Sequence, residues 1–254
     1  MHRFHVPPGQ CLGNNIVLEG REAHHALRVL RLRPGDAAIV LDGAGLELAC
    51  EVEEAGREVV RLGVTSRRSV AQPPYQITLL QALPKGKLIN SIIEKATELG
   101  VARIVPLLSA RVVAHFEEGK ADSKREHWQG SAIEAIKQCG SAWLPAIEAP
   151  LTPADFLKRA ETFDLHFIAS LQAGSRHPGE FFDAFRQRHG RQPASVGVWV
   201  GPEGDFTPEE TAAILAAGAS AITLGPLVLR ADTAAVYCLS VLSYELQADA
   251  AARG

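Results

Sequence analysis

Two stretches near the C-terminal end place chemically able residues directly after apolar runs. In the first, Val198-Trp199-Val200 leads into Gly201-Pro202-Glu203-Gly204-Asp205 and then Phe206-Thr207-Pro208-Glu209-Glu210. Thr207 with Glu210 three residues later has the form of a capping box, so a helix is expected to start at Pro208. Gly201, Pro202 and Gly204 thus fall outside the carboxyl end of an expected strand, where α/β sheets take small ligands. The two glycines are expected to adopt positive φ or let a ligand close to the backbone. An ordinary strand-to-helix turn has the same composition.

The second stretch repeats the order: Ile222-Thr223-Leu224, the loop Gly225-Pro226-Leu227-Val228-Leu229, then Arg230-Ala231-Asp232-Thr233-Ala234-Ala235. Asp232 and Thr233 suit the first turn of a helix. Arg230 does not, because a cation at a helix start opposes the macrodipole. It needs an anion, either a structural partner such as Glu203 or Asp232, or a substrate on which negative charge gathers.

The elements that must hold these loops show in the periodicity. Beyond residue 72 strands alternate with helices: 76–82, helix 87–99, 104–108, helix 125–138, 165–170, helix 180–189, 196–200, helix 208–217, 221–224 and a last helix 231–247. That alternation signals an α/β domain with a mostly parallel sheet. The last helix, with Ala234, Ala235, Val236, Tyr237, Cys238, Leu239, Val241 and Leu242, has hardly any polar face, so it is expected to be covered within the chain or by a second subunit. Residues 3–70 are β-rich. Strands at 37–41 and 46–52 flank the turn Asp42-Gly43-Ala44-Gly45, another runs over 58–65, and Ala26, Leu27 and Leu30 give a short basic helix one apolar side. Arg67-Arg68-Ser69 and then Gln72-Pro73-Pro74 interrupt the pattern, which places a domain boundary near residue 72.

The net charge of −3 over 254 residues argues against indiscriminate nucleic-acid binding. RNA contact must be local, and residues 21–33, with four arginines and two histidines against one glutamate, are the best footprint. A solvated helix face is the competing explanation. The four scattered cysteines contain no Cys-x-x-Cys pair, and no histidine pair has metalloprotease spacing, so neither a disulfide framework nor a metal site is expected. No apolar run reaches membrane-spanning length and Met1–Gln10 does not read as a signal peptide, so a cytoplasmic protein with no membrane association is expected.

Gly201-Pro202-Glu203-Gly204, followed by Leu224-Gly225-Pro226-Leu227-Val228-Leu229-Arg230-Ala231-Asp232-Thr233-Ala234, closely resembles the paired C-terminal motifs of the 16S ribosomal RNA uridine-N3 methyltransferases of the SPOUT superfamily. His25-Ala26-Leu27-Arg28-Val29-Leu30-Arg31, Gly35-Asp36 and Asp42-Gly43 look like the family's PUA-like RNA-binding domain. Glu94 to Val101 with Pro106, and Gln138-Cys139-Gly140 with Pro145, match further blocks. Asp205 stands where the family usually has glycine, Leu227 and Ser141 where it commonly has arginine, and Asp232 where it has glutamate.

The resemblance implies an α/β SPOUT domain over 73–254 with a deep C-terminal trefoil knot, and a small PUA-like β-barrel over 1–72. It implies a homodimer acting on 16S ribosomal RNA or the small ribosomal subunit. S-adenosylmethionine would be held by Leu171, Gly201, Pro202, Gly204, Leu224, Gly225 and Leu229, and no metal is needed. For the chemistry, Arg230 would stabilise charge on the uridine oxygens, with Asp232 or Glu203 taking the proton. Arg3, His25, Arg28, Arg31, Lys85 and Arg111 are the candidate RNA contacts. Two other classes compete: an RNA-binding protein without catalysis, motivated by Leu227 and Ser141, and a nucleotide-cofactor enzyme. The second lacks both an early Gly-x-Gly-x-x-Gly and a phosphate loop.

Overall fold

A computed structural model describes residues 1–112, 119, 121–170 and 174–247. The chain divides into two compact units. One comprises Met1–Gln72 together with Ile133–Leu144, and the other Pro73–Ala132 with the chain from Pro145 onward. The contiguous division expected at residue 72 is therefore interrupted by a segment that packs with the first unit.

The first unit contains β1 (His2–His5), β2 (Asn15–Leu18), α1 (Gly20–His24) running into a π-type turn over His25–Val29, β3 (Ala37–Leu41), β4 (Leu46–Ala55) and β5 (Val60–Ser69). Its sheet has the order β1-β3-β4-β5-β2, with β1 parallel to β3 and the other pairs antiparallel. Among the described residues β1 and β2 are the edges, so the sheet is a curled half-barrel where a small barrel was expected. Register shifts between Ala49 and Cys50 and between Val52 and Glu54 interrupt the long β4–β5 ladder, and such irregularities bend a strand and increase its twist. Phe4, Ile16, Leu18, Leu48 and Leu62 fill the concave side, and Ala26 with Leu27 and Leu30 packs onto them. Arg67 to Ser69, expected to interrupt the pattern, instead extend β5. Arg68 there pairs with Glu47 on β4 at 3.0 Å, while Arg67 donates to the carbonyls of Cys11 and Gly13.

At the β3–β4 turn, Asp42 Oδ1 accepts from the amides of Ala44 and Leu46. Gly45 there has φ +98° and lies so close to the Trp143 ring that a Cβ would collide with it. The Lys137 ammonium is buried between Glu22 (2.8 Å) and Glu134 (2.9 Å), which ties the end of the helix over Ala121–Cys139 to α1. Arg3 donates to the carbonyls of Lys137 and Gln138, closing the helix C-terminus.

The second unit contains β6 (Gln76–Ala82), α2 (Leu88–Glu98), β7 (Arg103–Leu107), most of α3 (Ala121–Cys139), β8 (Ala146–Ile147), α4 (Pro153–Leu157), β9 (Leu165–Ala169), α5 (Pro178–His189), β10 (Ser195–Val200), α6 (Pro208–Ala216), β11 (Ser220–Ile222) and α7 (Ala231–Gln247). All six strands pair in parallel in the order β11-β9-β10-β6-β7-β8. A parallel sheet covered on both faces needs strands that are apolar on both, which β6 and β10 supply. On one face Leu80, Val105, Ile168 and Trp199 meet Phe156 of α4 and Ile214 of α6. Helix α7 packs on β6, β10, α2 and α5.

α7 is not covered all round within the chain. Ala235, Cys238, Leu239, Leu242 and Leu246 are buried, while Tyr237 and Tyr244 remain 46% and 77% exposed. Among the described residues, no helix is long and apolar enough to cross a membrane and no group of His, Cys, Asp and Glu side chains could hold a metal.

Candidate functional site

The strand order reverses between β6 and β10, and the carboxyl ends of β9 and β10 open beside this point. A pocket forms there from Ala169 and Ser170 after β9, from Val200, Gly201, Pro202, Glu203 and Asp205 after β10, and from Leu224, Leu227, Val228 and Leu229 after β11. Ala231 and Ala234 of α7 complete it. Its position follows the rule for open α/β sheets, in which neighbouring connections diverge and leave a crevice.

The loop after β10 is held by its own side chains. Thr207 Oγ1 accepts from the amide of Glu210, and the Glu210 carboxylate accepts from the amide of Thr207. This completes the capping box expected from sequence. The left-handed residue is Asp205, with φ 60°, and neither Gly201 nor Gly204 has positive φ. Asp is among the few residues that adopt this conformation readily, and Asp205 Oδ1 also accepts from the amide of Phe206 at 2.8 Å. Gly201 is required for a different reason: a Cβ there would lie 2.7 Å from Asp205 Oδ1 and 3.2 Å from its Cα. Gly225, at φ +100°, is conformationally required while its surroundings are open.

In the loop after β11, Thr223 Oγ1 accepts from the amide of Gly225. Among the described residues, the amides of Leu227, Val228 and Leu229 donate to nothing within the chain. A row of free backbone donors beside the apolar walls of Ala169, Leu224 and Ala234 fits a flat heteroaromatic ligand such as adenine, whose edge accepts hydrogen bonds while its faces are apolar.

Of the residues expected to hold the donor, Gly201, Pro202, Leu224 and Leu229 line the pocket. Gly204 and Gly225 stand in the loops without facing the cavity, and Leu171 lies outside the described residues. Ala169, Ser170, Val200, Leu227, Val228, Ala231 and Ala234 also line it without having been expected there, as does Asp205, which stood out only as a departure from glycine. Small apolar residues in such positions give no chemical signal, and Leu227 had registered only as a missing cation.

Arg230, between the lining residues Leu229 and Ala231, is exposed and forms no ion pair with any described residue. The structural pairing with Glu203 or Asp232 is absent. Glu203 lines the pocket, but its Oε1 accepts from the backbone amide of Lys85 at 3.0 Å. Asp232 does not line this pocket. It faces a groove between α2 and α7 with Ser91, Lys95, Tyr237 and Val241, and its Oδ1 is buried without a hydrogen-bond partner among the described residues.

The candidate RNA contacts divide likewise. Arg3 donates through one guanidinium nitrogen to the carbonyls at the end of α3. His25 is half-buried, its ring edge-on to Phe4 at 6.3 Å. Arg28 and Arg31 are exposed, whereas Arg21 pairs with Glu134. Arg28 also lines a groove with His24 and Arg57, the latter from the β4–β5 turn and unremarked in the sequence. In the second unit Lys85 and Arg111 are both exposed, and the Arg111 guanidinium donates to the carbonyl of Gly204.

Beneath the pocket, Trp199 Nε1 donates to His166 Nε2 at 2.6 Å, and burial pushes the His166 imidazole down to about 4. It is a neutral acceptor that fixes the Trp199 ring.

Comparison with known proteins agrees with this geometry. A family described as an RNA methyltransferase domain matches residues 71–243, and one described as an RNA methyltransferase PUA domain matches residues 18–63. Ribosomal RNA small subunit methyltransferase E of Mycobacterium bovis is 33% identical over 239 residues, covering 94% of this chain and 90% of its own. The Bacillus subtilis protein of the same name is 29% identical over 231 residues, 91% and 90% of the two chains. Among solved structures, a Legionella pneumophila methyltransferase in complex with S-adenosylmethionine has a TM-score of 0.84 at 30% identity, with 97% of each chain covered. A ribosomal RNA small subunit methyltransferase E from Neisseria gonorrhoeae, bound to S-adenosylmethionine, has a TM-score of 0.83 at 25% identity, covering 96% of this chain and 97% of its own. With a methyltransferase domain over most of its length and a relative 33% identical across nearly all of it, the chain belongs to the RNA methyltransferase family that includes ribosomal RNA small subunit methyltransferase E.

Proposed function

We propose that the protein binds S-adenosylmethionine in the pocket at the ends of β9, β10 and β11 and methylates N3 of a uridine in 16S ribosomal RNA. The observation that carries this reading is Arg230: an exposed guanidinium without an ionic partner among the described residues, flanked by two residues that line the pocket. The free amides of Leu227 to Leu229 would hold the adenine edge, with Gly201, Pro202 and Leu224 enclosing the nucleoside. When bound, S-adenosylmethionine supplies a methyl group on a sulfonium, open to in-line displacement without a metal.

The residues of the chain then have two tasks. The N3–H bond of uridine must break as the new N3–methyl bond forms, and negative charge gathers on the flanking carbonyl oxygens. Arg230 offers a planar set of donors for that charge, a role of the oxyanion-hole kind. Asp232, with one oxygen unpartnered among the described residues, would take the proton from a uridine presented through the groove between α2 and α7 that it faces, and Asp232→Asn is expected to slow the chemical step without weakening donor binding.

The domain over 1–72, through His25, Arg28 and Arg31, would hold RNA, while that over 73–254 would carry methyl transfer and form a homodimer through the exposed side of α7, where Tyr237 and Tyr244 lie. From the edge strand β11 the chain returns to place α7 over the inner strands β6 and β10, which supports a trefoil-knotted passage; an experimental trace of 165–247 checks the threading. A ribosomal RNA substrate supports a cytoplasmic site of action.

Single-turnover methylation of small-subunit RNA alongside calorimetric donor titration tests the catalytic assignment. Arg230→Ala is expected to keep donor affinity and lower the methylation rate by about 100-fold or more. A normal chemical step in that variant would remove Arg230 from the mechanism. RNA binding by the parent protein without any methyl transfer would favour the non-catalytic alternative.

A further inference from the structure

The segment after β10 does more than wall the pocket: Glu203 of its loop and Glu210 in the first turn of α6 reach two neighbouring loops. Glu203 Oε1 accepts from the amide of Lys85, in the loop after β6. Glu210 uses one carboxylate oxygen on the amide of Thr207, closing its own helix cap, and the other on the amide of Ala110, in the loop after β7. Next in sequence to Ala110, Arg111 donates to the carbonyl of Gly204. β10, β6 and β7 are adjacent in the sheet, so the three loops emerge side by side.

Each connection carries an exposed cation with it. Neither Lys85 nor Arg111 forms an ion pair among the described residues, although Glu209 is an acidic neighbour of Arg111. The Arg111 guanidinium has donors to spare beyond the one on Gly204. Glu203 itself lines the pocket, so the Lys85 backbone and the Arg111 guanidinium are both held next to the pocket wall, where Leu227 supplies no charge.

We infer that Glu203 and Glu210 are positioning residues that latch the loops after β6 and β7 to the pocket wall, so that Lys85 and Arg111 grip RNA phosphates on either side of the target nucleotide. This rests on the methyl-transfer function proposed above. It gives Glu203 a role distinct from proton acceptance. A latch needs only an oxygen acceptor for the Lys85 amide, which a glutamine carbonyl provides, whereas a base needs a carboxylate.

The test compares Glu203→Ala, Glu203→Gln, Lys85→Ala and the double variant Glu203→Ala/Lys85→Ala in the full chain. Methylation of small-subunit RNA under single turnover, donor calorimetry and donor-free RNA binding over a salt series are measured for each. Glu203→Ala is expected to raise the half-saturating RNA concentration roughly tenfold, the scale of one charge-assisted hydrogen bond. Glu203→Gln should restore parental behaviour. Lys85→Ala should flatten the log–log salt dependence by roughly 0.7 to 0.9, and the double variant should bind RNA no more weakly than Lys85→Ala alone. Loss of maximal rate in Glu203→Gln, or full additivity in the double variant, would overturn the inference. Donor-free RNA binding reads the latch even if the parent transfers no methyl group, so failure of the underlying function is distinguished from failure of the latch.

Discussion

Gly201, Asp205 and Arg230 show how far single residues could be read. The glycine loop was legible as a ligand-binding turn because glycine next to a strand end is a backbone signal. Its cause was not, since the positive φ falls at Asp205 and the constraint on Gly201 comes from the Asp205 carboxylate, two facts that need coordinates. Gly201→Val is accordingly expected to displace Asp205, lose donor binding in calorimetry and destabilise the chain by about 1–3 kcal/mol, as overpacking does. Unchanged donor affinity would show that the loop relaxes without consequence. Arg230 was identifiable because a cation at a helix start is locally unfavourable, but only the structure removes its two structural partners.

His166 gave no sequence signal at all. Its lowered value, about 4 against an ordinary 6.5, means that the unfolded chain binds a proton that the folded chain refuses between those limits. The stability contribution is complete above about pH 6.5 and is lost as pH falls towards 4. Thermal melting should show this acid-side loss, and His166→Gln should reduce it. An unchanged pH profile in that variant would assign the loss to other groups.

At the scale of elements, the alternation of strands and helices beyond residue 72 was legible because parallel strands are apolar runs separated by capped helices. β8, two residues long, and the five-residue α4 lie below the length at which periodicity speaks. β5 ran past its expected end because Arg67 and Arg68, which look like a break, find partners across the ladder and at a loop. The terminal helix is the instructive case. Its composition suggested burial on every side, yet the structure separates an inner face containing Leu239, 1% exposed, from an outer face with Tyr237 and Tyr244. Tyr237→Asp is therefore expected to give a folded monomer in sedimentation with little methylation activity. Leu239→Asp should instead unfold the chain by burying an unpaired carboxylate. A Tyr237→Asp dimer of parental stability would place the subunit interface elsewhere.

For the whole molecule, a net charge of −3 leaves RNA binding to small groups of cations rather than to an overall field. Arg28 and Arg31 remain exposed, and replacing both with alanine should weaken RNA binding and lower its salt slope by about 0.7 to 0.9 for each phosphate no longer neutralised, with donor affinity untouched. An unchanged salt slope would exclude both from phosphate binding. The segment Ile133–Leu144 was not assignable from sequence, because α3 is one continuous helix and only the burial of Lys137 between two glutamates shows where its end is anchored.

The most direct measurement is nucleoside mass spectrometry of small-subunit RNA taken from a strain lacking this protein and then incubated with the purified protein and isotopically labelled S-adenosylmethionine. One labelled 3-methyluridine per RNA molecule is expected, formed about 100-fold more slowly or slower still with Arg230→Ala under the same conditions. Label on a different nucleoside, or none while donor binding is intact, would contradict methylation of uridine N3.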